Sequence, residues 1–251
     1  MLPDAPSSHP PRVLAFDTST ERLAVALQAP GGPWLANAEG GAAASAALLP
    51  QASALLAAAG LAWADLDFIA FGRGPGAFTG LRTACAVAQG LAYGLGRPVL
   101  PLDSLLVVAE DARLQFGARA AFDIGVAMDA RMDETYAAAY RWDGAGWQVL
   151  SAPALYALPA LTSAWSLLTL RVVTGSAWPA FKGRLPPPAG ARLCAPESDR
   201  AGALLRLAAR AAAAGEGVDA AQALPLYLRD KVAFTSEERA QQRALAHAAA
   251  G

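Results

Sequence analysis

Two acidic stretches carry the residues best suited to chemistry. The first is Asp17-Thr18-Ser19-Thr20, at the end of the apolar run Val13 to Phe16. Hydroxyls and backbone N–H groups in such a turn can receive a phosphate, and an aspartate can hold a hydrated metal. The same residue types also cap turns through nearby backbone groups, and no glycine flanks this turn to let a phosphate come close. Capping is the simpler reading. The second stretch is Asp129, Arg131, Asp133 and Glu134. As an acid and base pair these would need a cleft; a solvated hairpin tip with an Arg–carboxylate pair is the simpler reading. Asp17, Thr18, Ser19 and Asp129 are kept as candidate nucleotide or phosphate contacts. No catalytic residue, cofactor or metal site is assigned.

Other chemistry is excluded by composition. The only histidines are His9 and His247, both near the chain ends. A core without histidine runs no Ser-His-Asp or Cys-His device and builds no His-ligated zinc site. The two cysteines, Cys85 and Cys194, make no disulfide framework, and Cys85 reads as a small buried hydrophobe.

A third stretch, GRGPGAFTG at 72–80, comes after the apolar run LDFIAFG and opens a helix pattern. It lacks the Gly-Lys-Ser/Thr of a P-loop and the glycine spacing of a dinucleotide fingerprint. Its glycines can form an anion-binding nest at a helix N-terminus. The helix pattern itself points elsewhere. Gly76, Gly80, Ala84, Ala88 and Ala92 recur every four residues, a ridge of minimal side chains along one helical face. Leu81, Cys85 and Leu95 lie on neighbouring faces. Arg82 is the one charge between Phe78 and Tyr93, and a helix apolar on most sides calls for burial on most sides. The ridge either packs on the chain's own sheet or receives a second protein. The expectation adopted is the second. The expected interface comprises Gly76, Phe78, Thr79, Gly80, Leu81, Arg82, Ala84, Cys85, Ala88 and Ala92, widened by Leu48, Leu49, Ala52, Leu55 and Leu56 of the preceding helix.

The elements that hold these stretches read as two similar halves. RVLAFDTST and ERLAVALQAP form a hairpin from Val13 to Ala29, and GGPWLANAEG supplies a further turn and strand. A helix spans Ser45 to Ala59, then come the strand FIAFG, the glycine-led helix, the strand RPVLPLDSL and a helix capped by Asp103 or Ser104. The order then restarts: a hairpin and third strand across IGVAMDARMDETYAAAYRWDGAGWQVL, a weak helix at LPALTSAWSLL, and the buried strand RVVTG. RLPPPAG is a loop, and a last helix starts near Ser198 and stops at Gly215. Asp17 and Asp129 stand 112 residues apart at matching points of this repeat. The expected division is a tail at 1–11, an N-terminal lobe at 12–107, a C-terminal lobe at 108–234 and a helical or mobile tail at 235–251.

The chain has 251 residues, 55% apolar and 16% charged, with net charge −1, so it is globular and offers no basic excess for gripping nucleic acid alone. No signal peptide or apolar run of membrane-spanning length is read, which predicts a soluble cytoplasmic protein.

AFDTST, FGRGPGAFTGLRTACAVAQGLA, VLPLDSL, MDARMDETYAA and LPLYLRDKVA together resemble the TsaB (YeaZ) family, across roughly Val13 to Ala233. The resemblance implies an α/β, actin-like and hexokinase-like (ASKHA) fold with two duplicated lobes, each a mixed sheet with flanking helices. It implies a non-catalytic subunit in the making of threonylcarbamoyladenosine beside the tRNA anticodon. Chemistry would belong to the paralogous partner TsaD, docked through the two first-lobe helices, with the ATPase TsaE joining and tRNA met only indirectly. The isolated chain would form a homodimer through the same surface. One departure stands out: Ala44-Ser45-Ala46 occupies the place where the family often carries His-Ser-Glu. The alternative function is an independent ATPase or small-molecule kinase of the same fold, which needs glycine-rich phosphate turns that are missing here. A metalloprotease reading fails on the histidine count.

Overall fold

The computed structural model describes residues 10–117, 120–195 and 197–229. The expected tails at 1–11 and 235–251 therefore lie almost wholly outside the described residues. Two mixed sheets of identical topology form the frame. In the first, β1 (Val13–Asp17) pairs antiparallel with β2 (Arg22–Gln28), which pairs antiparallel with β3 (Trp34–Glu39). After α1 (Ala44–Ala58), β4 (Phe68–Gly74) joins β1 in parallel. Then α2 (Phe78–Leu95) leads to β5 (Val99–Asp103), parallel to β4, and α3 (Ser104–Phe116) leaves the sheet. The second sheet repeats the plan. β6 (Phe122–Asp129), β7 (Glu134–Trp142) and β8 (Trp147–Ala157) form the antiparallel half. After α4 (Leu158–Ala164), β9 (Val172–Thr174) joins β6 in parallel; α5 (Ala177–Ala180) comes next, and β10 (Arg192–Leu193) closes the edge. The orders β3-β2-β1-β4-β5 and β8-β7-β6-β9-β10 correspond strand for strand, so the duplicated lobes are present.

Period-two burial explains the layers. On the first sheet, Leu14, Phe16, Leu23 and Val25 face α1 and α2, while Val13, Ala15, Ala24 and Ala26 face the other way. That second face is covered by α6 (Arg200–Ala213) through Ala201, Leu204, Leu205 and Ala208. The sequence division puts α6 in the C-terminal lobe, yet it packs on the first sheet. The strand before it, β10, is two residues long, so the chain is free to cross back. α3 lies between the sheets, giving Val107 to the first core and Leu105, Val108, Ala109 and Ala112 to the second. α4 and α5 cover the far face of the second sheet with Leu161, Trp165 and Trp178.

Helix ends obey local chemistry. Asp103 caps α3 by accepting from the Leu105 and Leu106 N–H groups. The cap of α6 is Asp199, bonded to Gly202 N–H, not Ser198; the Ser198 hydroxyl donates to Asp111 instead. Among the described residues no helix is long and apolar enough to cross a membrane.

Candidate functional site

Asp17 ends β1 in the centre of the first sheet, where neither face nor edge meets water; it, Thr18 and Ser19 are all buried. Its Oδ1 accepts the Ser19 N–H at 2.6 Å, and its Oδ2 accepts the Ser104 hydroxyl at 2.9 Å and Arg200 Nη2 at 2.8 Å. Arg200 also donates from Nη2 to Ser19 Oγ and from Nη1 to Glu197. Ser104 in turn accepts the Gly74 N–H at 3.0 Å. Burial alone would push the Asp17 pKa up; the Arg200 charge and the hydrogen bonds from Ser19 and Arg200 outweigh it and hold the carboxyl below its ordinary value. Burial acts against the Arg200 cation too, but Asp17 and Glu197 raise its pKa overall. Both ionised forms are thus fixed by each other. Thr18 spends its hydroxyl on the Gly80 carbonyl at 2.6 Å. The capping reading of this turn stands, but its chief partner, Arg200, escaped the reading of the sequence. A signal existed: Arg200 is a cation at the first position of a helix, where the macrodipole favours anions.

The glycines of 72–80 serve this turn. A Cβ on Gly72 would lie 1.9 Å from Asp17 Oδ2, on Gly76 2.4 Å from the Ser19 carbonyl oxygen, and on Gly80 1.8 Å from the Thr18 carbonyl oxygen. The loop therefore packs backbone to backbone on the Asp17 turn, sealed by the Ala77 N–H donating to the Ser19 carbonyl at 2.7 Å.

This corrects the expected interface. Ala84, Ala88 and Ala92 continue the glycine ridge into the first core, and Leu48, Ala52, Leu56, Leu81 and Cys85 are buried as well. The ridge is the inner face of α2, packed on the chain's own sheet. Close packing there lets a helix with few large side chains still fill its contact. The Cys85 thiol donates to the Ala223 carbonyl, and burial pushes its pKa up, as suits a core thiol. Of the expected residues, Leu49, Thr79 and Arg82 are exposed, and Leu55, Gly76, Phe78 and Gly80 are half-buried. The outward face of α2 adds Ala86, Gly90, Tyr93 and Gly94, with Tyr93 86% exposed. That of α1 adds Ser45, Ala46 and Ser53.

Asp129 occupies the matching strand end of the second lobe and lines a cleft of about 680 Å³ between the lobes, with Ser19, Phe78, Met128, Ser176 and Tyr227. Its backbone N–H donates to Ser176 Oγ, its Oδ1 accepts the Arg131 N–H, and the Arg131 guanidinium lies 3.5 Å from its Oδ2. Asp133 pairs with Arg184 at 3.0 Å and Glu134 with Arg229 at 2.7 Å. Arg131, Met132 and Asp133 all take the left-handed region, with φ of 64°, 57° and 60°, although none of them is glycine. Asp17 and Asp129 flank one interlobe space, but only Asp129 faces it.

Paired five-stranded sheets of this one topology, joined around a cleft, define the actin-like, hexokinase-like class. The tRNA threonylcarbamoyladenosine biosynthesis protein TsaB of Escherichia coli (strain K12) is 32% identical over 239 residues, covering 89% of this chain and 96% of that protein. The chain belongs to the TsaB (YeaZ) family. The solved structure of YeaZ from Pseudomonas aeruginosa superposes with a TM-score of 0.76 at 39% identity, over 87% of this chain and all of that one. TsaB of Haemophilus influenzae is 41% identical over 124 residues, which is 49% of this chain and about half of that relative, 51%. A family model described as TsaD, tRNA N6-adenosine threonylcarbamoyltransferase, matches residues 40–163.

Proposed function

We propose that this chain is the non-catalytic member of a pair: it docks on a TsaD-type paralogue and supports threonylcarbamoylation of the adenosine beside the tRNA anticodon. The observation that carries the reading is the Asp17–Arg200 contact. An actin-like ATPase or kinase needs an acidic group in each lobe turned toward the metal-nucleotide. Here the first-lobe carboxylate is sealed and neutralised by an arginine of the same chain. Of the two matched aspartates only Asp129 faces the cleft, and the first-lobe acid that lines it, Glu21, is an exposed side chain paired with Arg131 rather than a strand-end carboxylate.

Docking falls to the outward faces of α1 and α2, the helices that cover one side of the first sheet. Gly90 and Gly94 have open space where a side chain would stand, and Ala86 is exposed beside them, so a partner helix can approach the α2 backbone closely. Leu49 and Tyr93 supply apolar anchors. Homodimerisation of the isolated chain and recruitment of TsaE belong to the same proposal, as does reaching tRNA through the partner, in keeping with a net charge of −1.

The test uses co-purification with TsaD. Ala86→Arg and Gly90→Arg each abolish it while the thermal unfolding midpoint of the isolated chain does not fall by more than about 2 °C below wild type. Retention by both variants would reject the docking face. Purified wild-type chain turns over no ATP; turnover that disappears in Asp129→Asn would reject the non-catalytic reading.

A further inference from the structure

A second recess, of about 430 Å³, shares no lining residue with the interlobe cleft. It lies where α6 and α3 meet the first-lobe hairpin, and its walls include Pro33, Leu35 and Leu205. Arg113, Arg206 and Arg210 also line it, and Glu110 is the one acidic group among its lining residues, so three positive charges meet one negative.

That carboxylate is already saturated. Glu110 accepts from Arg113 Nε and Nη2 at 2.8 Å each, from Trp147 Nε1 at 2.9 Å and from Arg206 Nε at 3.1 Å. Two oxygens offer about four lone-pair sites, so none is left for further donors. Arginine carries five N–H donors. Arg206 uses Nε alone, and its Nη2 has no acceptor among the described residues. Among the described residues Arg210 donates to the Ala145 carbonyl alone. The carboxylate beyond that turn, Asp143, is bonded to the Ala145 and Gly146 N–H groups and to Gln148. Trp142 fixes the array from behind, with the Arg113 guanidinium 4.3 Å and that of Arg210 4.9 Å from its ring centre. Like charges held together against apolar walls repel, and an oxyanion relieves the repulsion while taking up the spare forked donors.

We infer that this recess is a binding site for a phosphate-bearing ligand, held by Arg206 and Arg210 with Arg113 behind them. A free pyrophosphate or nucleotide and an RNA phosphodiester share this chemistry, and the experiment separates them. The full chain is titrated calorimetrically with inorganic pyrophosphate in about 50 mM salt. Saturable uptake is expected, weakened at least about tenfold in Arg206→Met and in Arg210→Met, where the forked contacts are lost. Lys182→Met, an exposed lysine outside the recess, binds as wild type. A parallel titration with a short single-stranded RNA assigns the natural source: RNA binding that pyrophosphate displaces, and that the same variants lose, points to the phosphodiester. Arg210 is exposed, so its variant folds and decides the matter even if Arg206→Met does not. The inference is overturned if wild type takes up neither probe to about 1 mM, if Arg210→Met binds as wild type, or if Lys182→Met loses as much.

Discussion

Arg200 and Asp17 are both sealed from water, and a buried pair of this kind contributes little net stability while its loss by halves is costly. Arg200→Met leaves a desolvated carboxylate, and the expected loss is about 3–5 kcal/mol at neutral pH. The sign of the pH dependence separates charge from packing. In wild type, Asp17 is held below its ordinary 3.8, so its stabilisation is present above that value and is lost as pH falls through the folded-state pKa. In the variant, burial is opposed only by the Ser19 and Ser104 hydrogen bonds and no longer by a cation, so the Asp17 pKa rises relative to wild type and the penalty shrinks as the group protonates. Asp103, which burial pushes up despite the Tyr140 hydroxyl bonded to it at 2.6 Å, costs stability as pH rises, but it does so in both proteins and cancels. Urea unfolding at pH 7 and at about pH 4.5 should show the gap between the two proteins narrowing toward acid. A gap that ignores pH would mean that Arg200 acts by filling space.

At the scale of elements, α2 has two small-residue faces with opposite duties. On the inner face, Gly80→Val drives a branched side chain into the Thr18 carbonyl, which a Cβ alone would meet at 1.8 Å; the expected loss is on the order of 3 kcal/mol or more. On the outer face, Gly90→Ala meets nothing within 4 Å and gains about 0.5–1 kcal/mol from helix propensity. Urea midpoints of the two variants should move in opposite directions; a shared direction would contradict the orientation of α2. This orientation was the part the sequence could not supply. The four-residue spacing of Gly76, Gly80, Ala84, Ala88 and Ala92 showed that something comes close to the backbone. Spacing fixes angles around a helix but not which angle meets the sheet, and Ala86, Gly90 and Gly94 make the other face nearly as bare. The hairpins and the repeat were legible because alternation and turn residues are local signals. Arg200 was not: it meets Asp17 across 183 residues, and nothing local to either residue names the other. The crossing of α6 to the first sheet was hidden for the same reason.

For the molecule as a whole, the segment from Ala223 to Arg229 links the lobes across the cleft. At one end, the Ala223 carbonyl accepts Cys85 and Gln89 of α2, and the Leu226 N–H donates to the Arg73 carbonyl at 2.7 Å. Tyr227 stacks on Phe78 with centroids 5.1 Å apart. At the other end, Arg229 donates to the Ala130 carbonyl at 3.0 Å and pairs with Glu134 at 2.7 Å, gripping the β6–β7 turn of the second lobe. Near that turn the described contacts between lobes are few: the Arg131–Glu21 pair is mostly exposed and worth little. Arg229 is therefore the principal tie on this side of the cleft, and Arg229→Ala removes charge-assisted bonds worth on the order of 1–3 kcal/mol. The loss should appear locally before it appears globally, because opening the cleft exposes little of either core. Native-state hydrogen exchange should quicken at Ala130 to Glu134 and at Leu226, with β1 and β6 unchanged. Exchange that quickens equally in both sheets would show instead that the lobes unfold as one unit and that the strap holds no separate hinge.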